Sequence, residues 1–181
     1  MHRLSLLAGL LLLSALWIGD HAPAAAETYK DYALRLVRNP PKGTRFRPDL
    51  EAYLNTLASS ARRNKDKRGL TASKLLQTAA RAQALEMLQG NYVGHRSKSG
   101  YRFSARFEAF AGDERGTYGE NAARDRQAGS ANKAKARRLF QQWIDSRGHR
   151  RNLMRHDYRY VSTGVIQRGN HIYAVQMFWE R

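Results

Sequence analysis

Trp143-Ile144-Asp145-Ser146-Arg147-Gly148-His149-Arg150-Arg151-Asn152-Leu153-Met154 marks the point where the chain changes character. Just upstream, Ala136, Leu139, Phe140, Trp143 and Ile144 recur at helical spacing. Lys133, Lys135, Arg137 and Arg138 take the wet face, so the pattern predicts a helix from about Asn132 to Ser146. Gly148 to Met154 reads as a short extra helix. Downstream, Tyr160–Gln167 and His171–Trp179 are two β-rich runs joined by Arg168-Gly169-Asn170. Gly and Asn tolerate positive φ, so this is a hairpin signal.

Working back toward the N-terminus, Pro48-Asp49 reads as a helix start with Asp49 as its N-cap. Leu50, Tyr53, Leu54, Leu57, Ala58 and Ala61 follow one helical face, which ends in the basic run Arg62–Arg68 closed by Gly69. A second helix is predicted from near Ser73, with Leu75, Leu76, Ala79, Ala82, Ala84, Leu85 and Leu88 on a broad apolar face and a stop at Gly90-Asn91. Tyr92–Tyr118 is aromatic, basic and Gly-marked, and reads as loop with one helical turn. Residues 122–132 read as polar loop, and residues 27–47, with Pro40-Pro41 and Gly43, as an irregular arm or linker. Helices followed by a closing hairpin imply an α+β fold in which helices pack on an antiparallel sheet over residues 48–181. Leu57, Leu76, Leu85, Phe140 and Trp143 are the expected core.

The charge narrows the partners. Against 15 Asp and Glu stand 32 Lys and Arg, a formal net charge of +17, and there are no cysteines. Disulfide scaffolds, thiol nucleophiles and cysteine metal sites are therefore excluded. A field of this sign favours anionic partners: acidic polymers, anionic or lipidic ligands, nucleic acid. Arg3, the apolar run Leu6–Ile18 and the small residues Ala22–Ala26 read as a signal peptide over residues 1–26, with no transmembrane segment after its removal. That predicts a secreted or periplasmic protein and counts against nucleic acid as the partner.

Three short stretches place ionisable side chains beside glycine: Gly94-His95-Arg96, Gly119-Glu120-Asn121 and Ser146–Met154. Glycine-flanked turns on a packed scaffold are common sites of function. His95, Glu120 and His149 together supply two nitrogens and one oxygen, a set suited to an open zinc-type site or to metal-assisted hydrolysis. The plainer reading is a hydrogen-bonded brace that ties loops together. Ser146 lies three residues before His149 and Ser97 two after His95, and neither spacing is a triad signature. Arg150 and Arg151 are expected to cap and solvate a short helix, and Asn152 to pin a loop.

The ordered set of Leu54-Asn55, Gly69-Leu70, His95, Gly119-Glu120-Asn121, the Trp143–Met154 stretch, Gly164 and Tyr173-Ala174-Val175-Gln176-Met177-Phe178 resembles a bacterial member of the CAP superfamily. These are the SCP-like proteins, also called the cysteine-rich secretory protein, antigen 5 and pathogenesis-related 1 proteins. The resemblance spans roughly residues 50–179 and implies an α-β-α sandwich with a central cleft. In the fuller members two His and two Glu line that cleft and can bind a divalent metal. His95 matches the first His and Glu120 the Glu of the Gly-Glu-Asn triplet. Ser146 stands in the place of the second Glu and Tyr173 in that of the second His, while His149 belongs to a bacterial Gly-His-Arg variant. The resemblance implies sterol or lipid binding in some members and proteolysis in a few. The leading expectation is an exported module that binds a lipid, a cell-wall polymer or a protein; the alternatives are a His/Glu hydrolase, with or without metal, and a polyanion binder.

Overall fold

The computed structural model describes residues 27–111 and 116–180. The stretch read as a signal peptide lies outside the described residues. A five-stranded sheet is covered on both faces by helices, the α-β-α sandwich expected from the sequence. Its elements in chain order are α1 (Tyr29–Arg38), β1 (Thr44–Phe46), α2 (Pro48–Arg63), β2 (Thr71–Ala72), α3 (Gln77–Gly90), α4 (Phe103–Ala111), β3 (Tyr118–Asp125), α5 (Lys133–Asp145), α6 (Arg147–Leu153), β4 (Tyr160–Arg168) and β5 (His171–Trp179).

The hairpin is the centre of the sheet. β4 and β5 pair antiparallel from Tyr160↔Trp179 to Arg168↔His171, and Gly169 takes the positive φ of 56° that the turn requires. β1 flanks β4 and β3 flanks β5, giving the order β1-β4-β5-β3, while β2 adds a short parallel pairing to β4. Alternation along β5 sorts the two cores. Tyr173, Val175, Met177 and Trp179 face α1, α3 and α4, whereas Ile172, Ala174 and Phe178 face α2, α5 and α6. Burial on both faces explains why this strand, after His171, reads as an apolar run broken only by Gln176. At Gly164 an added Cβ would overlap the backbone of Ala80 and Arg81, so α3 rests on β4 at backbone contact.

Several expectations need correction. Residues 27–47 are not an irregular arm: they hold α1 and β1, and α1 buries Tyr29 and Ala33 in the core. Tyr92–Tyr118 contains the nine-residue α4, and residues 122–125 belong to strand β3 rather than to a loop. α2 begins at Pro48, with Arg47 at the N-cap and Asp49 in the first turn paired to Arg47 at 2.6 Å. α3 begins only at Gln77, because the preceding residues are bound to β4: Ser73 N–H donates to Val161 O, and Ser162 Oγ donates to Ser73 O and accepts from Leu76 N–H. Leu76, Leu85 and Trp143 are fully buried and Phe140 nearly so, but Leu57 is only partly buried at the margin of the second core. Lys135, expected on the wet face of α5, is fully buried and donates from Nζ to Gln127 O and Asn170 O.

Candidate functional site

The Gly119-Glu120-Asn121 triplet opens β3, the edge strand, and each residue has its own task. Gly119 lies against Tyr158 Oη and the Asn152 side chain, where a Cβ has no room. Pleating sends Glu120 toward α4 and Asn121 toward α6. Asn121 Nδ2 donates to His149 O at 3.0 Å, and Asn152 Nδ2 donates to Glu120 O at 3.0 Å and Asn121 Oδ1 at 3.2 Å. Asn152 thus pins α6 to the strand, while Arg150 caps the carbonyls of Ile144 and Asp145 at the end of α5.

Glu120 is the hub. Its carboxylate is buried and both oxygens are taken: Arg106 Nη1 donates to Oε2 at 2.8 Å, Arg106 Nη2 to Oε1 at 3.0 Å, and His95 Nδ1 lies 2.9 Å from Oε1. Arg106 Nη2 also donates to His95 O at 2.8 Å, which fixes the loop that carries the imidazole. A carboxylate only accepts, so His95 Nδ1 is the donor in this contact. The guanidinium is wholly buried. Burial pushes it down, but the charge and hydrogen bonds of Glu120 outweigh burial and hold it above its ordinary value. This bidentate pair is the arrangement at which Arg excels.

The other expected residues are distributed around this hub. The His95 and His149 rings stand 6.2 Å apart, centroid to centroid, at 65°. His149 and Ser146 line a cleft of about 400 Å³ that runs beside the edge strand, bounded also by Val93, Gln142 and Ala122–Arg124. Gln142 Nε2 donates to Arg124 O at 3.0 Å and closes one end. Tyr173 is elsewhere. Its ring is buried on the α3 side of β5, and its hydroxyl meets Asn91 Oδ1 at 3.2 Å. Ser97 is committed to Ser99 Oγ and Tyr101 N–H, and among the described residues no serine hydroxyl is hydrogen-bonded to His95 or His149. A larger hollow of about 550 Å³ beside α2 contains none of the expected residues; its acid, Glu51, is saturated by Arg81, Gln77 and the Val165 N–H.

Sequence reasoning missed Arg106. The available signal was Phe103, Arg106, Phe107 and Phe110 at i, i+3, i+4 and i+7, one face of a helix. Phe107 stacks on Tyr118 at 4.3 Å, which seats α4 on β3 and carries Arg106 to Glu120.

The His149 imidazole is held below the usual histidine range, first by burial and second by the charge of His95. Its folded value is therefore below its unfolded one, and the folded state binds fewer protons. The stability it contributes is full above about pH 6.5 and is lost as pH falls. A proton NMR titration should give the His149 Cε1–H a midpoint below about 6.5, the ordinary value. A midpoint at or above that value would contradict the burial seen here.

The profile of the cysteine-rich secretory protein (CAP) family matches residues 55–178. The chain belongs to the CAP family. Its cysteine-free sequence keeps the fold without the residue for which the family is named. Several solved structures share its fold. An extracellular SCP-domain protein of Bacillus anthracis is similar at a TM-score of 0.60 and 20% identity, over 74% of this chain and 41% of that one. An outer surface protein of Borrelia burgdorferi is similar at 0.61 and 16%, over 74% and 94%. A cysteine-rich secretory protein of Staphylococcus aureus is similar at 0.53 and 18%, over 74% and 39%. The chain thus spans about two fifths of the Bacillus and Staphylococcus proteins. No curated protein matches it in sequence.

The divalent metal that the CAP resemblance implies does not fit these residues. Both Glu120 oxygens are occupied by a buried guanidinium, Ser146 carries no carboxylate, and the Tyr173 hydroxyl is turned to Asn91. A buried positive charge already fills the role of a cation beside the carboxylate. Among the described residues no group of three His, Cys, Asp or Glu side chains is arranged to hold a metal.

Proposed function

We propose that this CAP domain is an exported binding module that takes an envelope or extracellular ligand in the cleft beside β3, with no resident metal. The observation that carries the reading is the Arg106–Glu120 pair, which makes the family's carboxylate a brace for the cleft wall rather than a ligand. His95 is tied to the same brace, so the residues that suggest chemistry are spent on structure. The cleft itself offers a mixed lining, with Val93 exposed and Ala122 small and apolar beside polar Ser146, His149 and Gln142. Such a lining suits a ligand with both apolar and hydrogen-bonding parts. Export is supported by the Leu6–Ile18 and Ala22–Ala26 pattern and by relatives described as extracellular or outer-surface proteins. Among the described residues no helix is long and apolar enough to cross a membrane.

Titrating isotope-labelled protein by NMR tests this reading with three probes: zinc chloride, muropeptides and a short-chain phospholipid. One of the organic probes should move the amides of Val93, Ala122, Ala123 and Ser146 in a saturable way, and zinc should move none. Saturable zinc shifts at His95 and His149 would overturn the metal-free reading. A cleft silent to both organic probes would overturn the binding reading.

A further inference from the structure

Two basic segments far apart in sequence, Arg62–Arg68 and Arg147–Arg151, each read as an ordinary solvated run. The fold joins them through a buried arginine. Arg62 is fully buried at the end of α2, and among the described residues no acid pairs with it. Its guanidinium donates to Arg68 O at 2.8 Å, Leu153 O at 2.9 Å, Arg155 O at 2.6 Å and Tyr158 O at 3.3 Å. One side chain thus fastens the turn after α2 to the end of α6.

A second cleft of about 420 Å³ lies between the two segments, away from β3. It is lined by Lys65, Lys67, Arg147, Arg150, Arg151 and Met154: five cations, one apolar side chain and no acid. Arg150 is occupied by the carbonyls of Ile144 and Asp145. The amides of Lys65 and Lys67 donate to Arg62 O, but the side chains of Lys65, Lys67, Arg147 and Arg151 have no hydrogen-bond or ion-pair partner among the described residues. Collecting like charges without counter-charges disfavours the fold by repulsion, and a partner bearing several anions reverses that sign. Aliphatic stems of Lys and Arg, with Met154, make the floor apolar while the charged heads ring it. No aromatic side chain is present to stack a base, which disfavours nucleic acid.

We infer that the cleft between the α2–β2 turn and α6 is a docking site for an anionic phospholipid surface, with Lys65, Lys67, Arg147 and Arg151 meeting headgroup phosphates and Met154 meeting the interface. The inference is independent of what the β3 cleft binds. Each basic side chain near such a surface strengthens binding roughly fivefold, so removing two should weaken it roughly 25-fold.

Co-sedimentation of the full protein with phosphatidylglycerol–phosphatidylcholine vesicles, against phosphatidylcholine alone, reads this directly. The variant is Arg147→Gln with Arg151→Gln. The charge-matched control is Arg38→Gln with Lys42→Gln, at the end of α1 and in the turn that follows. All four positions are exposed, and a thermal melt confirms that both variants stay folded. The expected result is binding that needs phosphatidylglycerol, weakens with salt over a screening length of about 8 Å at physiological ionic strength, and falls about 25-fold in the variant but much less in the control. Equal losses in variant and control would overturn the inference in favour of net charge alone. So would an absence of vesicle binding, or displacement of the protein from vesicles by millimolar inorganic phosphate, or a DNA affinity that the variant loses while its vesicle binding is unchanged.

Discussion

Replacing Arg106 by Met should lower the stability of the protein by about 3–5 kcal/mol at neutral pH. The side chains of Arg106 and Glu120 are 0% and 1% exposed, so the substitution strands a carboxylate where water cannot reach it. It also releases the His95 carbonyl from its donor. Glu120→Gln should cost a comparable amount, because it strands the guanidinium instead. The double variant Arg106→Leu, Glu120→Leu should recover most of either loss, since a buried ion pair replaced as a unit by apolar side chains is commonly near neutral. A stranded carboxyl has its pKa raised by desolvation, so the folded Arg106→Met protein takes up a proton as pH drops. Its deficit should therefore shrink toward acid pH, unlike that of an ordinary core mutant. Urea denaturation of the four proteins at two pH values measures this. An Arg106→Met protein within about 1 kcal/mol of wild type would mean that the pair does not brace the cleft.

What the sequence disclosed follows from how locally each signal is encoded. The apolar faces of α2, α3 and α5 and the Gly169-Asn170 turn are periodic or turn-specific, so they are legible without a partner. β3 is not. Glu120-Asn121-Ala122-Ala123-Arg124-Asp125 has no β-branched or aromatic residue, and it is a strand because β5 pairs with it from end to end. Its polar residues look like loop composition until their partners are known: Arg106 for Glu120, the His149 carbonyl for Asn121, Arg138 for Asp125 at 3.1 Å. α1 was hidden by the Pro and Gly that follow it, although its helix is capped by Thr28 and buries only two residues fully. Lys135 shows the same limit from the other side. Its charge satisfies two carbonyls from distant turns, and no helical wheel contains that information.

The candidate site was legible as a set of residues and not as chemistry. His95, Glu120 and His149 stand out because glycine flanks them, and the fold does bring them near one another. Whether a carboxylate serves a metal or a brace depends on its third neighbour, and that neighbour arrives on α4. The family's fuller tetrad would present two carboxylates to a cation. Here one carboxylate meets a built-in guanidinium, so the site carries its own counter-charge.

Trp143→Ala should cost about 3–5 kcal/mol, the usual loss for a buried large aromatic. Trp143 is 0% exposed at the centre of the α2–α5–α6 core, with Phe140 edge-on at 6.1 Å. Among the described residues its Nε1 has no hydrogen-bond partner, and the indole is held there by shape and apolar contact. Trp143→Phe should therefore lose much less than Trp143→Ala, because it forfeits volume but no hydrogen bond. The position matters to the cleft as well as to the core. One residue before it, Gln142 caps the Arg124 carbonyl; three residues after it, Ser146 ends α5 and begins α6, which carries His149. A cavity under Trp143 frees the α5–α6 corner to shift, so the alanine variant should also weaken saturable shifts of the Val93 and Ser146 amides with the organic probe, while the basic cleft's affinity for phosphatidylglycerol vesicles changes little so long as the protein is folded. Chemical denaturation read by fluorescence, together with the NMR titration, checks both parts. An unchanged denaturation midpoint would show that the third long helix does not hold its layer through Trp143, and an undisturbed cleft in a destabilised variant would show that β3 alone fixes the binding geometry.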